Sequence, residues 1–280
     1  VVQQVTRAYT QTPHGWMPLA PAELPPAAWG AAETIDTAHL HFVFHSRDRH
    51  TVAALAPGAE TLYMALEAAT GATLNGPDGR LTIRVVPGGR GRHELPGPGE
   101  VYLPSPLLLP ARPGGAGDQP LAIPLRQTLA DALLDQAAAD AGTQWRPLVE
   151  GVRLYLEQSG DLPLAPNSEN TPFWTHGGAD PSLHLPGLLA EEENRWGAGN
   201  QPWERYNEER LASTALNLAA FLAAAHGPRV LGALLAGCGR YEDWETLAPA
   251  VLGTTAPALD AAWHAAWRTG ESEERSPAKG

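Results

Sequence analysis

The first part of the chain alternates between short strand-like runs and one longer helical run. Along residues 39–45, Leu40, Phe42 and Phe44 alternate with the remaining side chains. A period of two that includes aromatic residues indicates a β-strand. Three further elements follow: a helix over 51–70 that bends near Pro57-Gly58 and stops at Gly71, and strands over 81–86 and 100–103. The pattern predicts a β-α-β-β order, which is a small mixed sheet with one crossing helix.

Beyond residue 123 the apolar residues recur at helical spacing. The predicted helices begin near Pro124 and Pro147 and then cover residues 203–226, 228–236, 241–252 and 256–269. Residues 158–201 are irregular and rich in Pro, Gly and Trp, and loops of that length are usually functional or act as lids. The fold class predicted from these patterns is α+β, with a small N-terminal sheet followed by a mainly α-helical half.

The ends of the chain differ from its middle. Residues 1–37 are rich in Pro and predict an extended arm that packs through Trp16 and Trp29. Residues 271–280 have no large apolar side chain, which is typical of a disordered tail. We therefore expect one domain over 38–270, with an α/β sublobe at 38–123 and a helical sublobe at 124–270.

The composition restricts the classes of partner and of site. The formal net charge is −12, and nucleic acids and anionic membrane surfaces require a basic protein surface instead. Cys238 is the single cysteine, so the chain can form neither an internal disulfide nor a cysteine-built zinc site. We predict that Cys238 is a small buried residue.

Four histidines lie close together in the sequence at positions 39, 41, 45 and 50. His39 and His41 share one strand face and could in principle chelate a metal ion. We instead interpret these histidines as an exposed or cleft-facing strand surface, because only Asp36 and Asp48 accompany them as nearby carboxylates. The sequence contains no complete phosphate-binding loop and no Gly-x-Ser-x-Gly nucleophile motif.

Several segments of the helical half resemble the peptidase MA-like family of gluzincin zinc peptidases. Residues 128–137 (TLADALLDQA) and 144–157 (QWRPLVEGVRLYLE) are similar to that family's "x-L-A-H-E-L-T-H" helix and its following "P-x-W-L-x-E-G-L-A-x-Y" segment. Weaker similarities occur, in the family's order, at residues 37–45, 221–228 and 244–263. The resemblance implies a zincin-like fold of the gluzincin type.

The active-site positions that the resemblance implies carry other residues here. The two zinc-binding histidines correspond to Asp131 and Asp135, and the general-base glutamate corresponds to Ala132. The third ligand is retained as Glu150. Zinc prefers imidazole and thiolate ligands, and hydrolysis requires a base for the zinc-bound water. The resemblance therefore implies vestigial site positions without catalysis, without a bound metal and without a cofactor.

Two other interpretations of these positions stay open. The carboxylates of Asp131, Asp135 and Glu150 could bind a hard cation such as Ca²⁺ or Mn²⁺. Alternatively, Asp131 and Asp135 could be solvated or paired with Arg126, Arg146 or Arg153. A displaced site could instead use Glu157, His176 or His184, although no spacing supports it.

The function expected from these features is that of a pseudoenzyme, a peptidase-like domain that binds, senses or supports structure outside the cytoplasm. Relatives of this type are commonly exported or membrane-tethered in bacteria, and the chain begins at Val1 rather than Met. A peptide or protein ligand would occupy the cleft between the sublobes, near Trp174, His176 and Trp196. Any membrane contact would come only from a segment upstream of Val1. The alternatives are a divergent metal-dependent hydrolase with non-standard ligands and a purely structural domain.

Overall fold

The computed structural model describes residues 8–13, 15–19, 24, 26–87, 99–109, 120–159, 162–164, 180–189 and 202–274. It is a mixed α/β protein whose chain forms two compact units. The first unit contains residues up to 66, 73–132 and 159–170. The second contains residues 67–72, 133–158 and 171–280. The predicted sublobe boundary at 123/124 therefore falls inside a helix whose residues up to Ala132 belong to the first unit.

A four-stranded mixed sheet forms the centre of the first unit, in the order β3-β4-β5-β6. Strand β3 (Ala32–Asp36) is antiparallel to β4 (Leu40–His45). Strand β4 is parallel to β5 (Leu81–Val86), and β5 is parallel to β6 (Glu100–Pro104). Burial alternates along β4 as the period of two predicts, since Leu40, Phe42 and Phe44 are buried. The small mixed sheet is therefore confirmed.

Helix α1 (Arg49–Thr70) connects the parallel strands β4 and β5, as a parallel pair requires a crossover connection. The helix continues through Pro57 and begins two residues before the predicted start. It ends at Gly71, whose φ of +69° is the left-handed conformation that glycine adopts at little cost. The predicted helix stop at Gly71 is confirmed.

The predicted extended arm is wrong over the described N-terminal residues. Strand β1 (Ala8–Thr12) and strand β2 (Gly15–Leu19) form an antiparallel hairpin, and β3 also lies within the predicted arm. Trp29 is buried as expected, but 68% of Trp16 is exposed. A hairpin satisfies its backbone groups through its own two strands, so these residues do not require an extended path along the protein surface.

The helical elements begin with α2 (Ala122–Ala137) and α3 (Arg146–Gln158). The remaining helices are α4 (Leu185–Leu188), α5 (Pro202–His226), α6 (Arg229–Cys238), α7 (Trp244–Leu252) and α8 (Ala256–Glu274). Helix α4 lies within the segment 158–201 that was predicted to be irregular, and the predicted helices match the other elements to within a few residues at most ends. Helix α8 continues past residue 270 to Glu274, so the predicted tail is wrong over its first four residues. Residues 275–280 lie outside the described part of the chain.

Close packing of α3 and α5 organises the second unit. A Cβ added at Gly151 would lie 2.3 Å from the carbonyl oxygen of Ala215, so only glycine permits this approach of the two helices. Leu148, Val152 and Leu156 form the buried stripe of α3. The glycine that follows Glu150 therefore has a packing role of its own.

Three buried tryptophans stabilise the remainder of this unit. Trp145 and Trp244 meet edge to face with ring centroids 5.1 Å apart, and the indole Nε1–H of Trp145 donates to the carbonyl of Tyr241. Trp263 of α8 is fully buried and donates to Oδ1 of Asn217 at 2.8 Å. Trp145 and Trp263 thus combine a large buried apolar surface with a satisfied indole N–H, whereas Nε1 of Trp244 has no hydrogen-bond partner among the described residues. Trp263 thereby anchors α8 to Asn217 of α5.

Candidate functional site

The three α2 positions that the resemblance matched to a peptidase site have different environments. Ala132 is buried, whereas Asp131 is half-buried and Asp135 is exposed one turn further along the helix. The methyl group of Ala132 can neither accept a proton nor bind a metal ion. Asp131 belongs to the first unit, and Asp135 and Glu150 belong to the second.

Glu150 is engaged by a neighbouring guanidinium group. Nε of Arg153 donates to Oε2 of Glu150 at 2.8 Å, and a second nitrogen of Arg153 contacts Oε1. The same Arg153 also pairs with Glu157 one turn further along α3. Bidentate pairs of this type are strong and directional. Arg153 therefore occupies both carboxylate oxygens of Glu150, a contact that the sequence analysis did not predict.

The residues predicted to line a ligand cleft, Trp174, His176 and Trp196, are outside the described residues. The predicted peptide or protein ligand therefore stays a prediction. His184, which the displaced-site interpretation included, lies in the described segment 180–189.

His41 and His45 of strand β4, and His39 immediately before it, each have a partner of their own. His41 lies directly opposite Asp36 in the β3–β4 register, and its Nδ1 lies 2.6 Å from Oδ1 of Asp36. His39 instead contacts Glu60 of α1, which also accepts the hydroxyl of Thr37. Nδ1 of His45 lies 3.2 Å from the carbonyl of Gly30. The strand histidines therefore form separate pairs, which agrees with their interpretation as a strand surface.

Hydrogen bonding determines the pKa of Glu60. Burial of this carboxylate by itself raises the pKa, but the hydrogen bonds from Thr37 and His39 together lower the pKa of Glu60 below its ordinary value. Glu60 is therefore held in its charged form beside His39.

Asp48 is a buried carboxyl group that the sequence patterns did not single out as a site. It follows β4, and its Oδ1 accepts the hydroxyl of Ser105, which follows β6, at 2.8 Å. Its Oδ2 is buried and has no hydrogen-bond partner within the described residues. Burial raises the pKa of Asp48, with the hydrogen bond from Ser105 opposing this effect. The two residues join the carboxyl ends of two strands of the sheet.

Cys238 matches its prediction as a small buried residue. It is almost completely buried, and burial raises the pKa of its thiol to about 12. A thiol with such a pKa stays protonated at neutral pH and is a poor nucleophile and metal ligand.

The second unit brings two histidines and one aspartate together at one end of α8. Nδ1 of His184 lies 2.6 Å from Oδ2 of Asp260, and Nε2 of His264 lies 3.8 Å from Oδ1 of the same carboxylate. One potential ligand atom from each of the three residues lies within 4.8 Å of the other two. We call this group the α8 triad. Among the described residues, it is the one group of three or more histidine, cysteine, aspartate or glutamate side chains that lie close enough together to hold a metal ion.

The surroundings of the α8 triad hold its side chains in place. The backbone N–H of Leu185 donates to Oδ1 of Asp260 at 2.8 Å, which fixes the carboxylate. The ring centroids of His264 and Trp263 are 4.8 Å apart. The rings of His264 and Trp267 are nearly parallel, with an interplanar angle of 6° and centroids 6.3 Å apart. His264 and Asp260 are largely buried, with side-chain exposures of 13% and 18%, whereas 63% of the His184 side chain is exposed.

A pocket of about 380 Å³ opens beside the α8 triad. The other residues that line it are Pro181, Ala261, Trp267 and Arg268. The pocket therefore combines an apolar wall, a basic residue and three potential metal ligands. Such an arrangement can bind a divalent cation or a small polar ligand.

Two of the three residues of the α8 triad are related by a spacing that the sequence shows. Asp260 and His264 are four positions apart, which places both on one face of any helix. His184 is 76 residues away from Asp260, and no sequence spacing connects them. The i, i+4 pair on a helix is the signal that could have identified these two residues.

Comparisons with known proteins provide no evidence for or against these site assignments. No protein-family model, curated protein or solved structure matches the chain. None of the helices in the described ranges combines the length and apolar character needed to cross a membrane.

Proposed function

We propose that this chain is a catalytically inactive, peptidase-like domain with a zincin-like fold, which acts as an extracytoplasmic binding, sensing or structural module. A mixed sheet with a crossing helix, followed by a helical half, is compatible with such a scaffold. The α2 positions at which the resembling peptidases carry a zinc site and a base hold Asp131, Ala132 and Asp135.

The bidentate contact between Glu150 and Arg153 is the observation that carries this proposal. Both oxygens of Glu150 accept from one guanidinium group, and a metal ion could bind Glu150 only by displacing it. Ala132 supplies no proton acceptor for a metal-bound water. Peptide hydrolysis by the family's chemistry requires both functions, and α2 and α3 supply neither.

Hydrolysis of fluorescently labelled casein and of a mixed peptide library tests this proposal. The full chain is assayed after EDTA treatment and again with added Zn²⁺. We expect no turnover above the rate of a buffer blank in either condition. Zinc-dependent turnover that Glu150→Gln abolishes, but Glu242→Gln at an exposed position retains, would overturn the proposal.

A divergent metal-dependent hydrolase with non-standard ligands is the second candidate. The α8 triad favours it, because two histidines and a carboxylate with an adjacent pocket form a hydrolytic type of metal site. In that case, turnover depends on His184 and not on Glu150. The same hydrolysis assay on His184→Ala and Glu150→Gln distinguishes the two candidates.

A further inference from the structure

The α8 triad contains the donor set of an open zinc site. We propose that His184, Asp260 and His264 bind one divalent transition-metal ion, with Zn²⁺ as the best match. Two imidazoles and one carboxylate are a common protein ligand set for zinc when a fourth position is left for water or a ligand. This site is separate from the vestigial α2 positions and does not depend on the proposed function.

The distances within the α8 triad require only small movements to bind an ion. Two donors bound to one tetrahedral zinc ion at about 2.0–2.2 Å lie roughly 3.3 Å apart. The two direct contacts of Asp260 are 2.6 Å and 3.8 Å long, one shorter and one longer than that separation. The most exposed ring, that of His184, has the greatest freedom to adjust.

One potential ligand atom of the α8 triad makes no hydrogen bond to the described residues. Nε2 of His264 is buried and has no hydrogen-bond partner among the described residues. Its contact with Asp260 at 3.8 Å is too long for a hydrogen bond. A metal ion between the three side chains would give this nitrogen a ligand bond and would also neutralise the Asp260 carboxylate.

The residues around the α8 triad resemble the outer shell of a metal site. Metal-bound carboxylates are usually held by further hydrogen bonds, and Asp260 already accepts the N–H of Leu185. The pocket beside the triad provides space for the fourth ligand. The ion would connect the segment that precedes α4 to α8 and would present an open coordination position to the pocket.

Calorimetric titration of the full chain with Zn²⁺ after EDTA treatment tests this proposal. We expect one ion per chain, with saturable binding. Substitution of Co²⁺ for Zn²⁺ gives visible d–d absorption that reports the coordination geometry. Nitrogen ligation by histidine shifts these bands away from those of hydrated Co²⁺.

The variants separate the α8 triad from adventitious binding. His184→Ala and Asp260→Asn each remove one ligand, and we expect Zn²⁺ affinity to fall by more than about 100-fold, which exceeds the usual effect of losing an outer-shell partner. Asp260→Asn retains an oxygen for the N–H of Leu185. The matched control is His226→Ala, because His226 is an exposed histidine of the same unit at the end of α5.

Circular dichroism establishes that each variant is folded before titration. Absence of saturable binding to the unaltered chain would overturn the proposal, and the α8 triad would then be a hydrogen-bonded network only. Equal Zn²⁺ affinity in the unaltered chain and in both ligand variants would also overturn it. The proposed function is judged by hydrolysis alone, so failure of one proposal is distinguishable from failure of the other.

Discussion

Histidines lie beside carboxylates in both units of this chain, but the arrangements differ. In the first unit, His41 of strand β4 contacts Asp36, and His39, which immediately precedes β4, contacts Glu60. In the α8 triad, the single carboxylate of Asp260 lies between two histidines from separate segments. Both regions contain the residue types that bind metals, and only the second brings three donors to one point within the described residues.

The difference shows what brings potential metal ligands together: two histidines that share one carboxylate do so, whereas histidines that each have their own carboxylate do not. A histidine with a carboxylate of its own is satisfied as an ion pair or a hydrogen-bonded pair. Where two histidines share one carboxylate, as in the α8 triad, a ring nitrogen such as Nε2 of His264 is left without a hydrogen-bond partner among the described residues. These histidines are close in sequence on β4 and just before it, yet His41 pairs with Asp36 across two strands and His39 pairs with Glu60 of α1.

The largest effect is expected from Trp263→Ala, which removes the anchor of α8 beside the α8 triad. Trp263 is fully buried, and loss of a buried Trp side chain costs about 3–5 kcal/mol of unfolding free energy. Urea denaturation monitored by circular dichroism measures this loss. Trp16→Ala is the control, because Trp16 is 68% exposed and a surface substitution changes stability by roughly 0.5 kcal/mol or less. Similar losses in both variants would contradict the anchoring role of Trp263.

A smaller effect is expected in the first unit from Glu60→Gln. This substitution weakens the charge-assisted hydrogen bonds to Thr37 and His39, and we expect a loss of about 1–2 kcal/mol at neutral pH. The same denaturation experiment measures it, with the exposed Glu242→Gln as control. A loss in Glu60→Gln no greater than in the control would show that the His39–Glu60 pair is only a surface contact.

The pH dependence of stability tests the same pair with a defined sign. The pKa of Glu60 is lowered in the folded chain, so the folded state binds fewer protons than the unfolded state near the ordinary value of 4.5. Its contribution is complete above that value and is lost as the pH falls through the lowered pKa. The unfolding free energy of Glu60→Gln should therefore decrease less steeply from about pH 6 to about pH 3.

Asp48→Asn provides the opposite sign in the same unit. Burial raises the pKa of Asp48, so its contribution favours the folded state at low pH and is lost as the pH rises from the ordinary value of 3.8 through the raised pKa. Removing this group should make the acid-induced loss of stability steeper. Parallel curves for the unaltered chain and both variants would contradict both assignments.

The smallest effect is expected from His41→Ala. The His41–Asp36 pair is partly exposed, and exposed ion pairs contribute little to stability. We expect an unchanged midpoint of thermal unfolding and an unchanged Zn²⁺ affinity by calorimetry. A marked loss of Zn²⁺ affinity would move the metal site to β4 and reverse the comparison between the two regions.

The sequence predicted the elements that carry a strong period. Strand β4, helix α1 with its stop at Gly71, and helix α3 with its buried stripe have such patterns, because one face of each is buried. Strand β3 was missed because it is an edge strand whose residues are exposed or half-buried in alternation. The β1–β2 hairpin was missed because proline-rich segments resemble extended loops in composition.

The candidate sites show the same division. Local sequence was sufficient for the inert Cys238 and for the i, i+4 relation of Asp260 and His264. Those features depend on residue identity and helical periodicity, which the chain carries within a few residues. The i, i+3 spacing of Glu150 and Arg153 on α3 likewise places these two side chains on one helix face. Only the tertiary structure placed Asp36 opposite His41 and His184 beside Asp260. Ion pairs depend on side-chain rotamers and on the packing of distant segments, and sequence spacing contains neither.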